Sequence, residues 1–257
     1  MKISRFIALI AFLLLFSCLP KKPEIPGTEV PAGPLVSALE QQQKSFMTLK
    51  AIASVDVFRR GKKRSFDTVG IVFDARRRLR VEAYGPLGQS IVALVWDGKD
   101  VLLRLQDDGI KKPGQAGIER ILGMSMDAKE LCAILSGTIT EIVRPQDARP
   151  FCTQDGSCVI EFHEDDLERR VRVLTTSSSP AIRVASQELY RAETLVYRVR
   201  YDQTETISQG ALPRKLVIEN PEKQATLTVE YTEADMNVPV SEDTFTLAEN
   251  VAQAGVR

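Results

Sequence analysis

Beyond residue 50 the chain returns again and again to one pattern, apolar side chains at every second position in segments bounded by turn residues. Ala51, Ala53, Val55 and Val57 form one series, Val69, Ile71 and Phe73 a second, and Leu79, Val81 and Ala83 a third. Leu195, Tyr197, Val199 and Tyr201 repeat it, as do Leu227, Val229 and Tyr231. Successive strand side chains point to opposite faces, so each series marks a strand with one buried face. Turns around Gly61 and Asp74-Ala75 separate the first of them, and successive strands are expected to pair as an antiparallel meander. The segment "SIVALVW", residues 90–96, is apolar in both phases and needs cover on both sides. With "VLLRL", "CVIEFHE", "RRVRVLT", "IRVASQELY", "TLVYRVRYD", "PRKLVIEN" and "ATLTVEYTE" the total is about eleven strands. The expected fold class is mainly β, an all-β barrel or a strongly curved antiparallel sheet around a few helices.

Two helical patterns accompany the strands. Leu35, Leu39, Phe46, Leu49 and Ala53 recur as one apolar stripe, predicting an amphipathic helix that opens at Pro34, a residue suited to a first helical turn. Residues 115–136 carry Ile118, Ile121 and Leu122, then Leu131, Ile134 and Leu135, as two short helices, with Asp127 a natural N-cap and Gly137 a natural terminator. No repeat and no second domain is visible, and about 220 residues suffice for one core.

At the amino terminus Lys2 and Arg5 precede the apolar run Phe6 to Phe16, which reads as a signal peptide too short to span a bilayer. The stretch "LFSC" resembles a bacterial lipobox, with aliphatic Leu15 and small Ser17 where that motif places them. Cys18 is then the first mature residue and the site of lipidation. An ordinary signal with an incidental Cys, or an uncleaved anchor, are the competing readings. Pro20, Pro23, Pro26, Pro31 and Pro34 make residues 18–34 an extended tether, reaching up to roughly 50 Å at ~3.1 Å per residue. The expected organisation is signal peptide 1–17, lipidated Cys and tether 18–34, and barrel domain 35–257. Leu19 stands where Asp would signal retention in the inner membrane, so the expected location is the outer membrane, facing the periplasm.

With 34 basic residues, 34 acidic residues and one His, the chain carries no net charge, and nothing points to nucleic acid. His163 lies within a strand, no phosphate loop or nucleophile elbow appears, and no ligand spacing suggests a metal. Neither enzymatic activity nor a cofactor is expected. Cys152 and Cys158 flank "TQDGS", whose Asp-Gly suits a hairpin turn, and an oxidising periplasm lets them pair. Cys132 is expected to pack as a small hydrophobe. Two basic runs, "RRGKKR" at 59–64 and "RRRLR" at 76–80, either join into a positive patch for lipid headgroups or an acidic carrier, or are solvated hairpin ends.

"YGPLGQS" followed by an apolar strand, and then "LGMSMDAKELCAILSG", resemble the LolB family of outer-membrane lipoprotein receptors and, through it, the LolA carriers. That resemblance implies an unclosed barrel capped by helices, with a hydrophobic cavity for the acyl chains of lipoproteins. It also implies that Pro86, Leu87 and Gly88 form a turn whose projecting Leu helps place lipoproteins in the membrane. On the residues alone, Leu87 either reaches outward or folds back onto Trp96. Candidate cavity residues are Ile91, Val92, Leu94, Trp96, Leu102, Ile121 and Leu135. The implied partners are lipoprotein or lipid acyl chains, a periplasmic LolA-like carrier and the outer membrane, with the protein a monomer. This sequence departs from the family at Cys132 and Ala133, where the family has a Trp, and in the Cys152/Cys158 hairpin. A scaffold lipoprotein of the envelope sharing the fold but carrying nothing is the alternative.

Overall fold

The computed structural model describes residues 22–74, 78–106, 108–113, 118–119, 123–124, 126–140, 144–176, 179–207 and 210–247. The signal peptide and Cys18 lie outside the described residues, as do Ile121, Leu122 and the start of the second basic run.

Among the described residues, fourteen strands form one antiparallel sheet. Strand β1 (Thr28–Glu29) precedes helix α1 (Ala32–Ser45). A meander follows: β2 (Thr48–Arg59), β3 (Lys62–Asp74), β4 (Leu79–Tyr84), β5 (Ser90–Trp96), β6 (Val101–Leu105) and β7 (Asp108–Lys111). Helix α2 (Ala128–Leu135) leads into a second meander of β8 (Ala148–Cys152), β9 (Ser157–Glu164), β10 (Leu167–Thr176), β11 (Ser179–Arg191), β12 (Thr194–Ile207), β13 (Gly210–Asn220) and β14 (Ala225–Met236). Pairing of β14 with β2 joins the two halves, so the order is β1-β8-β9-β10-β11-β12-β13-β14-β2-β3-β4-β5-β6-β7. The ends, β1 and β7, are not paired with each other, and the barrel stays open.

The expected architecture holds, with three more strands than the period-two count. Strands β1, β7 and β8 span two, four and five residues, too short for alternation to show. One helix boundary is also corrected. Helix α1 starts at Ala32 and stops at Ser45, so Leu49 and Ala53 belong to β2. Their spacing continued the apolar stripe only because a buried strand face follows the helix directly.

The concave face carries the core. Register places Leu49, Ala51, Ala53, Val69, Ile71, Phe73, Leu79 and Leu94 on one side, all buried. Helix α2 lies against that face with Ala128, Leu131, Cys132, Ala133, Ile134 and Leu135 all buried. Its ends are chemically defined. The Asp127 carboxylate accepts from the Glu130 amide at 2.6 Å, and Gly137 ends it at φ +68, where a Cβ would meet Pro213 at 2.9 Å. Strand β5 finds its second cover on the convex side, where Ala93 and Val95 are fully buried. The 3-10 turn Glu242–Phe245 lies beside β4 there, with Arg80 donating to the Thr244 and Thr246 carbonyls, both at 3.1 Å.

Residues 22–30 run along the outside of the second meander rather than standing free. The Arg170 guanidinium donates to the Pro23 carbonyl at 2.6 Å, Lys22 pairs with Glu168, and the Val30 amide donates to Pro150 at 3.0 Å. Any free tether is therefore confined to residues before Lys22. Cys152 and Cys158 face each other in the β8–β9 register and are disulfide-bonded, and Cys132 is buried and outside any disulfide.

Candidate functional site

The turn between β4 and β5 is built by its own sequence. The Gly85 amide donates to the Gln89 carbonyl at 2.8 Å and the Gly88 amide to Gly85 at 2.9 Å. Gly88 sits at φ +77, a conformation that glycine adopts without a Cβ penalty. The Gln89 side chain folds over Gly85 and its Oε1 accepts from the Leu87 amide at 3.1 Å. Three amides of the turn are thus bonded within it, and the Leu87 side chain is 92% exposed. It reaches outward rather than back onto Trp96.

Strand directions give the sheet two ends. The turns β2–β3, β4–β5, β9–β10, β11–β12 and β13–β14 share the end that carries Leu87, while β3–β4, β5–β6 and β8–β9 share the other. The two basic runs consequently do not meet. They sit at opposite ends of β3, thirteen residues long, or about 40 Å at ~3.3 Å per residue. Of the second run, Arg78 is held by Asp74 at 2.5 Å and by Glu242, and Arg80 by Glu82. These are internal ion pairs.

The cavity candidates divide between the two faces. Val92, Leu94, Trp96 and Leu135 belong to the concave core. Ile91 and Leu102 lie in the opposite phase, with Ala93 and Val95, and so on the convex side. A strand apolar in both phases gives no sign of which phase faces inward. Ile121 is outside the described residues.

A groove of about 850 Å³ opens at the Leu87 end, between the start of α2 and the β11–β12 and β13–β14 turns. Its apolar lining includes Met126, Leu167, Leu189 and Val196, and none of the cavity candidates among the described residues lines it. That volume lies within the roughly 300–1,000 Å³ typical of ligand pockets. A smaller recess of 210 Å³ adjoins it across Asp127, Glu130 and Leu167, and contains Arg169.

Between the two lies the one polar cluster that the alternation hid. Arg169, in phase with buried Val171 and Val173, points inward and donates to Glu130 Oε1 of α2 at 2.7 Å and to the Tyr197 hydroxyl at 2.8 Å. Tyr197 in turn donates to Glu130. Burial drives the Tyr197 hydroxyl well above its ordinary pKa, as does the Glu130 charge against the opposing pull of Arg169, so it stays protonated as a donor. Deeper in, Gln187 donates to the Thr138 carbonyl and to the Tyr201 hydroxyl, each at 2.7 Å, and Tyr231 donates to the Leu135 carbonyl at 2.9 Å. These inward-facing polar side chains of the sheet all converge on α2, the turn behind it, or each other. The sequence signal was a polar residue in the apolar phase, Arg169 in "RRVRV" and Gln187 in "VASQELY".

His163 is exposed and lies 3.3 Å from Glu168. Glu161, His163 and Glu168 bring ligand atoms within 4.8 Å of one another. Lys22, Arg149 and Arg170 already pair with those carboxylates, and a cation would have to displace them.

An open, strongly curved antiparallel sheet with a helix seated in its concavity is the LolA/LolB-like fold. Solved structures that share it include the following three. A putative outer membrane lipoprotein-sorting protein domain from Vibrio parahaemolyticus matches at TM-score 0.59 and 9% identity, over 82% of this chain and 95% of that one. A LolA superfamily protein from Nitrosomonas europaea matches at 0.55 and 13%, over 85% and 98%. A DUF1329 family protein from Desulfovibrio piger matches at 0.54 and 10%, over 84% and 97%. No protein-family model and no curated protein matches the chain. At these identities the likeness is one of fold.

Proposed function

We propose that this is a lipid-anchored outer-membrane protein that receives acyl chains of lipoproteins, or of related lipids, behind helix α2 and helps insert them into the membrane. The observation that carries the reading is a buried helix of six apolar side chains in the hollow of an unclosed sheet, with a groove open beside its first turn. Such a helix occupies space that hydrocarbon can take over if the helix swings out, because one apolar filling replaces another at little cost in hydration. Supporting it are the lipobox-like "LFSC" and the fold shared with the Vibrio lipoprotein-sorting domain. Cys18 carries the lipid, a periplasmic LolA-like carrier delivers the cargo, and Leu87 enters the acyl boundary during release. The work is binding and transfer without a catalytic step. A scaffold lipoprotein is the second reading, favoured by how closely α2 fills the concave face, with Ile134 fully buried.

Native mass spectrometry of the chain beginning at Leu19, which contains every described residue, separates the two. Co-purifying lipid or lipopeptide is expected. Protein that stays empty after incubation with diacyl lipid and triacylated lipopeptide overturns the carrier reading.

A further inference from the structure

The β2–β3 hairpin ends in Arg59, Arg60, Gly61, Lys62, Lys63 and Arg64, five basic side chains in six positions. Residues 60 and 62–64 are exposed, and Lys63 shares its charge with Asp56 at 3.1 Å. The hairpin next along the sheet is β4–β5, whose turn carries Leu87 at the same end; pairing of β3 with β4 stops at Thr68 and Tyr84, so residues 60–64 project beyond that turn. Phe58, one of four exposed large apolar side chains among the described residues, is also on this hairpin. Lys22, the first described residue, pairs with Glu168 just beyond the β9–β10 turn at the same end, so the segment carrying Cys18 joins the body there. The acids Glu164, Asp165 and Asp166 of that turn are separated from β2 by four intervening strands in the sheet order, which gives this end a positive and a negative side. The apolar finger thus sits on the positive side.

We propose that the β2–β3 hairpin tip is a docking surface for anionic lipid headgroups, at the same end of the sheet as Leu87, so that charge and apolar contact face one bilayer. Headgroup phosphates attract Lys and Arg near the surface, and salt screens that attraction beyond about a Debye length. Phe58 suits the interface, where aromatic rings settle. The hairpin holds this end of the molecule, with Leu87 and the mouth of the α2 groove, toward the membrane. An acidic protein partner is the competing occupant.

The test uses the chain beginning at Leu19, without lipid or cargo, and vesicles of phosphatidylcholine with and without phosphatidylglycerol. Binding is expected only to the anionic vesicles and to fall with salt. Reversing Arg60, Lys62 and Arg64 to Glu is expected to weaken it by at least on the order of a hundredfold at low salt. The same reversal of Lys50, Lys99 and Arg183, toward the other end, is the control for net charge and is expected to weaken it far less. Equal losses in the two triples, no preference for anionic vesicles, or binding only to an acidic periplasmic protein overturns the proposal. Because no cargo is present, any of these leaves the acyl-binding reading standing, and an empty protein in the mass spectrometer leaves this one standing.

Discussion

Arg169 of β10 and Glu130 of α2 are joined at 2.7 Å inside the mouth of the barrel, and their side chains are only 19% and 12% exposed. The pair sets the position of the helix, because Glu130 is one turn into α2 and also receives the Tyr197 hydroxyl. Removing one partner leaves the other charge largely desolvated. Arg169→Met is expected to cost about 3 kcal/mol, and Arg169→Met with Glu130→Gln to recover part of it, since no unpaired charge remains. Urea unfolding gives the stabilities. Hydrogen exchange over residues 128–140 is expected to rise in the single variant ahead of the rest of the sheet.

Leu87 stands apart from stability. With 92% of it exposed, Leu87→Glu is expected to change unfolding free energy by less than about 0.5 kcal/mol. Gly88→Ala, at φ +77, is expected to cost about 1 kcal/mol through backbone strain. Under the carrier reading the Glu variant still binds acyl chains and fails to deliver them. Normal delivery to vesicles by Leu87→Glu removes the insertion role.

The sheet was legible because alternation is a local property: Val55, Val57, Val69 and Ile71 announce their strands without reference to any partner. The closing pairs were not, since β14 meets β2 across most of the chain, and strand β8, "ARPFC", persists through its neighbours rather than its composition. Leu87 was legible as a turn residue, whereas its outward direction was open on the residues alone and is given by its 92% exposure. The face on which Ile91 and Leu102 sit was not, because an apolar residue in either phase of β5 or its partner looks the same in sequence. The two basic runs appeared adjacent only because turns are near in sequence. One intervening strand carries them apart.

Glu82 gives the protein an acid-sensitive seam on its convex side. Its side chain is buried, with Arg80 at 2.5 Å and Arg104 at 3.2 Å. Burial pushes its pKa up, but hydrogen bonds from Ser90 and Arg80 and the Arg80 charge together hold it below the ordinary 4.5. A depressed folded-state pKa contributes stability that is complete above the unfolded value and is lost as pH falls through the folded one. Urea midpoints are therefore expected to be level well above pH 4.5 and to decline on the acid side of it. Glu82→Gln is expected to lower the plateau and flatten that part of the decline. An unchanged acid slope in the variant assigns the decline to other carboxylates.

The Cys152–Cys158 bond closes a loop with a sequence separation of six, and a short loop removes little entropy from the unfolded chain, so Cys152→Ser with Cys158→Ser is expected to cost only about 2 kcal/mol. Its local effect is larger, because β1 pairs with β8 through Thr28 and Cys152. Gly27, at φ +114, lies so close to the Cys152 backbone that a Cβ there would stand 2.6 Å from its carbonyl oxygen. Loosening β8 loosens the seat of residues 22–30. The double variant is expected to exchange the Val30 amide, bonded to Pro150 in the intact protein, faster than amides of β2 or β14. It is also expected to become cleavable by protease between Lys22 and Pro31 while the body stays folded. Exchange that accelerates uniformly instead means that the disulfide supports the whole sheet and not the docking of the segment behind Cys18.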